Sequence, residues 1–82
     1  MNKKEVFIVV QDIFREIFDN YDLLINESTC SDDIEEWDSL EHINIILAIE
    51  KNFNIKFDVN EISYLRSVGD INNLIIKKIG EN

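Results

Sequence analysis

The stretch Trp37-Asp38-Ser39-Leu40-Glu41 holds the most usable chemistry in the chain: a serine hydroxyl between carboxylates, at the head of the apolar run Leu40, Ile43, Ile45, Ile46, Leu47, Ala48, Ile49. Asp38 suits an N-cap, and Glu41 three residues on completes the Asp-x-x-Glu form of a capping box. Ser39 then falls at the first helical position. There, unpaired N–H groups and the positive end of the helix dipole favour an anion. A phosphodiester carried on that oxygen would sit in a receptive field, whereas the unaided hydroxyl is a poor nucleophile. Taken alone, Asp38-Ser39-Leu40 at a helix start is usually only a cap.

Other candidate chemistry fails on spacing or number. His42 is the only histidine and Cys30 the only cysteine, so no nucleophile–base set can be assembled around them. One thiol makes neither an internal disulfide nor a zinc site, and Cys30 reads as a small loop residue. The acidic segment holding Asp32, Asp33, Glu35, Glu36, Asp38 and Glu41 lacks the turn glycine and ligand spacing of a calcium loop. Gly69 and Gly80 are the only glycines, so there is no phosphate-cradling loop. No metal site is expected. The chain reads as a substrate of enzymes and not as an enzyme.

The elements that must position Ser39 are set by periodicity. A first helix from about Lys4 to Phe18 carries Val6, Phe7, Val10, Ile13, Phe14 and Ile17 at helical spacing, with Asp19-Asn20 ending it. A long connection, 19–37, contains Leu23, Leu24, Ile25 and Ile34, which would pin it to a core. The second helix, Ser39 to Asn52, turns Ile45, Ile46, Ile49 and Phe53 inward and Glu41, Asn44, Lys51 and Asn52 outward. Leu40, Ile43 and Leu47 fall between these faces and exceed what burial requires. Ile55 and Phe57 tuck in an ordered connection. A short third helix is expected over about Asn60 to Leu65, capped by Asn60. The last helix begins after Ser67, with Asp70 as capping partner, a stripe of Val68, Ile71, Leu74, Ile75 and Ile79, and Gly80 at its end. The expected fold is all-α: a small four-helix bundle, three principal helices plus a short one, in a single domain over 1–82.

Charge narrows the partners. Eight basic and seventeen acidic residues give a net charge of −9, which disfavours nucleic acid and anionic membranes and favours basic protein surfaces. No Lys or Arg stands between Arg15 and Lys51, and Ser39 lies inside that window. The 45% apolar content is that of a globular chain. Glu5, Gln11 and Asp12 break the apolar character near the start, and no run reaches membrane-spanning length. A cytoplasmic monomer is expected.

Asp38-Ser39-Leu40-Glu41, the Ile-rich helix behind it, the Glu50…Phe53 ending and Ser67-Val68-Gly69-Asp70 together resemble the acyl carrier protein family. The resemblance covers nearly the whole chain and is strongest from about Ile34 to Ile79. It implies a freestanding carrier with 4′-phosphopantetheine on Ser39, transferred from coenzyme A by a Mg²⁺-dependent phosphopantetheinyl transferase. It further implies a thioester-linked acyl cargo delivered to loading and transferring enzymes of a fatty-acid, polyketide or specialised pathway. Those partners would carry basic docking surfaces and meet Asp38, Leu40, Glu41, Ile43 and Leu47. Trp37 stands where a glycine is frequent, and Asn44 and Lys51 replace residues often acidic in the family. His42 is a candidate contact for arm or partner, and Trp37 reads as packing. An aminoacyl or D-alanyl carrier is the near alternative, although peptidyl carriers tend to have glycines before the serine. A different class is an acidic helical adaptor that leaves Ser39 unmodified.

Overall fold

In the computed structural model, which describes residues 2–80, the sequence folds into four α-helices: α1 Lys3–Ile17, α2 Ser39–Phe53, α3 Val59–Ser63 and α4 Val68–Gly80. The expected all-α bundle of three principal helices and a short one is the fold observed. There is no strand among the described residues, only an isolated antiparallel bridge between Cys30 and Ser67. Met1, Glu81 and Asn82 lie outside the described residues.

α2 and α4 pack on α1, and the stripes read from the sequence meet in one core. Val6, Val10 and Phe14 of α1, Ile45 and Ile49 of α2, and Val68, Ile71 and Ile75 of α4 are fully buried. Phe7, Ile17, Phe53, Ile62, Leu74 and Ile79, expected to face inward, pack against the core from its edge and keep partial exposure. Ile55 and Phe57 tuck in as expected.

The long connection is held by backbone bonds as well as by apolar pins. Ile25 N–H donates to Gln11 Oε1 (3.1 Å), and Arg15 Nε donates to the Leu23 carbonyl (2.7 Å). At its middle, Val68 N–H donates to the Thr29 carbonyl (2.9 Å) and Gly69 N–H to the Glu27 carbonyl (2.8 Å). A Cβ on residue 69 would lie 2.9 Å from that Glu27 oxygen, so the close approach requires glycine. Ile25 and Ile34 are buried, but Leu24, expected to pin the loop, is 78% exposed. The backbone bonds on either side of it fix the segment and leave its side chain no inward direction. A short 3-10 helix, Ser31–Asp33, shapes the run toward Trp37.

Two caps differ from expectation. α3 starts one residue earlier, at Val59, because Asp58 and Glu61 form the reciprocal box there, Glu61 N–H to Asp58 Oδ1 at 2.8 Å and Asp58 N–H to Glu61 Oε1 at 2.9 Å. Asn60 is therefore inside the helix. Five residues are too few to hold a helix by propensity, and the Glu61 carboxylate also pairs with Lys78 of α4 at 2.7 Å. At α2 only half of the box forms: Glu41 N–H donates to Asp38 Oδ1 (2.9 Å), while the Glu41 carboxylate accepts from Asn44 Nδ2 (2.7 Å). α4 opens as expected, with Asp70 N–H to Ser67 Oγ (3.2 Å) and Ser67 N–H to Asp70 Oδ2 (3.3 Å).

Candidate functional site

Ser39 is the first residue of α2 and is exposed. Asp38, extended at the N-cap, takes the Glu41 N–H, and His42 N–H closes onto the Asp38 carbonyl at 2.9 Å. The N–H groups of Ser39 and Leu40, which no helical turn precedes, have no acceptor among the described residues. They point to the side on which an anion is favoured, so the donor set fits a phosphodiester esterified to the Ser39 hydroxyl. No group of His, Cys, Asp and Glu able to hold a metal ion occurs among the described residues.

An open cleft of about 690 Å³ runs beside Ser39 between the start of α2 and the α3–α4 connection. Its apolar part is Ile43, Ile62 and Leu65, and its polar part includes Asp32, Asp38, His42 and Arg66. Arg66 is its only Lys or Arg. Ile46, Ile49 and Ile71, at most 2% exposed, are not part of its lining.

The residues expected to make a docking face come out on the surface together with Ser39. Leu40 is 69% exposed, Ile43 47% and Leu47 57%. Asp38 is exposed and Glu41 half-buried. All five lie on or beside the N-terminal two-thirds of α2. Cys30 lines the cleft as well, half-buried, with its N–H on Asp33 Oδ2 at 3.0 Å.

Trp37 is packing, as read from the sequence: it is 5% exposed and meets Phe14 edge-on with ring centroids 5.1 Å apart. Sequence reasoning missed its second contact. The indole N–H donates to His42 Nδ1 at 3.1 Å, and the two rings stack at 6.0 Å. The pair is separated by five residues, and Trp37 lies outside the helix, so helical spacing gives no signal for it. Asn72 was also missed: it is fully buried in α4, and both of its amide atoms lack a hydrogen-bond partner among the described residues. Position 72 lies one turn after Val68 and next to Ile71, and an asparagine at that place in the stripe was the available signal.

No protein-family model matches the chain. It is 27% identical over 95% of its length to the acyl carrier protein homolog of Mycoplasma genitalium, covering 98% of that protein. The solution structure of holo acyl carrier protein from Geobacter metallireducens superposes with a TM-score of 0.86 at 36% identity, over 93% of this chain and 87% of that one. The crystal structure of an acyl carrier protein from Thermotoga maritima shares the fold with a TM-score of 0.84 at 24% identity, over 99% of this chain and 94% of that one. With this agreement in sequence and fold across nearly the whole length, and a serine-headed helix beside an open cleft, the chain belongs to the acyl carrier protein family.

Proposed function

We propose that the protein carries an acyl intermediate as a thioester on a 4′-phosphopantetheine arm attached to Ser39. The observation that carries this reading is the placement of Ser39: exposed, first in α2, beside two N–H groups without acceptors, in a chain of this family. Coenzyme A is the donor, and a phosphopantetheinyl transferase supplies the base and Mg²⁺ for the transfer. The arm ends in a thiol, which supplies the thioester chemistry. The protein's own part is to present that arm to successive partners at high effective concentration.

Docking uses the same surface. Leu40, Ile43 and Leu47 supply apolar contact, and the acidic stretch without Lys or Arg steers partners with basic surfaces. The cargo is short or polar. Burial of a long chain is worth about 0.8 kcal/mol per CH₂, but beyond the cleft wall of Ile43, Ile62 and Leu65 it would have to displace Ile46, Ile49 and Ile71, which are at most 2% exposed. Forcing methylenes into a filled core costs about 1–3 kcal/mol.

Incubation with coenzyme A, Mg²⁺ and broad-specificity transferases tests the attachment. The wild type gains the mass of one arm and Ser39→Ala gains none. A wild-type protein that no transferase modifies would favour an unmodified adaptor. Loading the product with acyl groups of increasing length tests the cargo: a melting temperature that rises steadily with length would rule out the short or polar class.

A further inference from the structure

The Trp37–His42 contact determines more than packing. An indole N–H is only a donor, so the Nδ1 that receives it at 3.1 Å must hold its lone pair. The neutral imidazole then carries its proton on Nε2. Trp37 itself is held in the core by its burial and by the edge of Phe14. The core thus fixes, through Trp37, both the orientation and the tautomer of a half-buried ring one turn beyond Ser39. No described residue accepts from Nε2, and His42 lines the cleft that also holds Ser39. The result is an oriented donor without an acceptor, next to the attachment point.

We propose that His42 Nε2–H donates a hydrogen bond to the phosphodiester of the arm on Ser39, with Trp37 as the positioning residue that sets the donor. The inference rests on the attachment proposed above. Residues three apart on a helix lie about 5–6 Å apart at Cβ. The phosphorus is one oxygen removed from Ser39 Cβ, so it is the part of the arm that attachment confines to this neighbourhood, whatever the cargo. Its anionic oxygens are strong acceptors, and a bond to an ionised acceptor is about twice as strong as a neutral one. The positive charge lining the cleft, Arg66, is exposed and belongs to the α3–α4 connection, so the side-chain donor that α2 itself supplies, beside its Ser39 and Leu40 N–H groups, is the imidazole. Held in this way, the inner end of the arm starts from one direction while its outer part stays free to reach partners.

Nuclear magnetic resonance of the loaded protein tests this, after intact mass has shown one arm per chain. At alkaline pH, where imidazole is neutral, the wild type should show the Nε2-protonated tautomer, with its Nε2 resonance displaced between the arm-free and loaded forms. The ³¹P resonance of loaded His42→Leu should move away from the wild-type position, and His42→Gln, which keeps a donor, should restore it. Loaded Trp37→Phe should show a mixture of tautomers. An Nε2 resonance unchanged by loading, with a ³¹P position indifferent to His42→Leu, would overturn the inference and leave the attachment at Ser39 standing. Failure of the chain to gain an arm at all would remove both. The apo-to-loaded comparison uses only the wild type, so it decides the matter even if a variant folds poorly.

Discussion

α2 and α4 are isoleucine-rich helices of similar length, 15 and 13 residues, that place their unusual residues in opposite ways. α4 buries Val68, Ile71 and Ile75 and leaves no large apolar side chain fully exposed, yet it also buries the amide of Asn72 without a partner among the described residues. α2 buries Ile45, Ile46 and Ile49 and leaves Leu40, Ile43 and Leu47 in solvent. Apolar character along a helix therefore does not by itself mark the core. α4 uses its apolar stripe to hold the bundle and turns Lys77 to solvent in its last turn, where cations suit the dipole. α2 has a surplus that the bundle does not need, grouped around Ser39 in the acidic stretch, which is the pattern expected of a helix that meets partners.

The sharpest way to break this comparison is to truncate one residue from each face of α2. Ile45→Ala should cost about 2–5 kcal/mol of stability in a denaturant melt, as for other buried Ile or Leu truncations. Leu47→Ala should stay within about 0.5 kcal/mol of wild type while slowing arm attachment by the transferase. An equal loss of stability in both variants would assign Leu47 to the core and remove it from the docking face.

α4 supplies the converse test. A buried polar group without a partner costs about 1–3 kcal/mol, so Asn72→Leu, which keeps the branched shape, should raise stability by about 1–2 kcal/mol. A loss would mean that the amide has a partner such as an internal water, and that α4 does not bear the cost assigned to it.

The three principal helices were legible because burial imposes a 3.6-residue period on α1, α2 and α4, and the site was legible because Asp38 caps α2 and so places Ser39. The short features were less so. α3 is capped by Asp58 and not by Asn60 because two caps were available in Asp58-Val59-Asn60-Glu61, and only Asp58 has a glutamate three residues on to return the bond. The same four-residue pattern at Asp38–Glu41 forms half a box, since Asn44 competes for the glutamate. Local spacing shows which bonds are possible, and competition among neighbours decides which form. Leu24 and the Trp37–His42 pair depend on how the long connection folds over the core, which no periodicity reports.

Charge reversal on α2 sharpens the docking side with a smaller effect. Glu41→Lys should slow transferase modification at low salt and approach wild type as salt rises, because exposed charges act over a Debye length of about 10 Å at 0.1 M. A rate indifferent to both charge and salt would leave apolar contact alone on that face.

The smallest expected effect lies at the α3–α4 junction. The Lys78 ammonium, and after it the Asp58 N–H, holds the Glu61 carboxyl below its ordinary value. A carboxylate depressed in the folded state contributes stability that is present above its unfolded value and is lost as pH falls through the folded one. Glu61→Gln should therefore flatten the acid side of the stability profile while leaving the neutral side slightly lowered. An unchanged acid limb would show that the pair adds nothing to the seating of α3.

Whether α2 presents Ser39 as an attachment point is read from the intact mass of the protein isolated from its own cell, with fragmentation to locate any added group. The expected result is the mass of one 4′-phosphopantetheine arm on the fragment containing Ser39, alone or with a short or polar acyl group. An unmodified chain, or an arm on any serine other than Ser39, would contradict it.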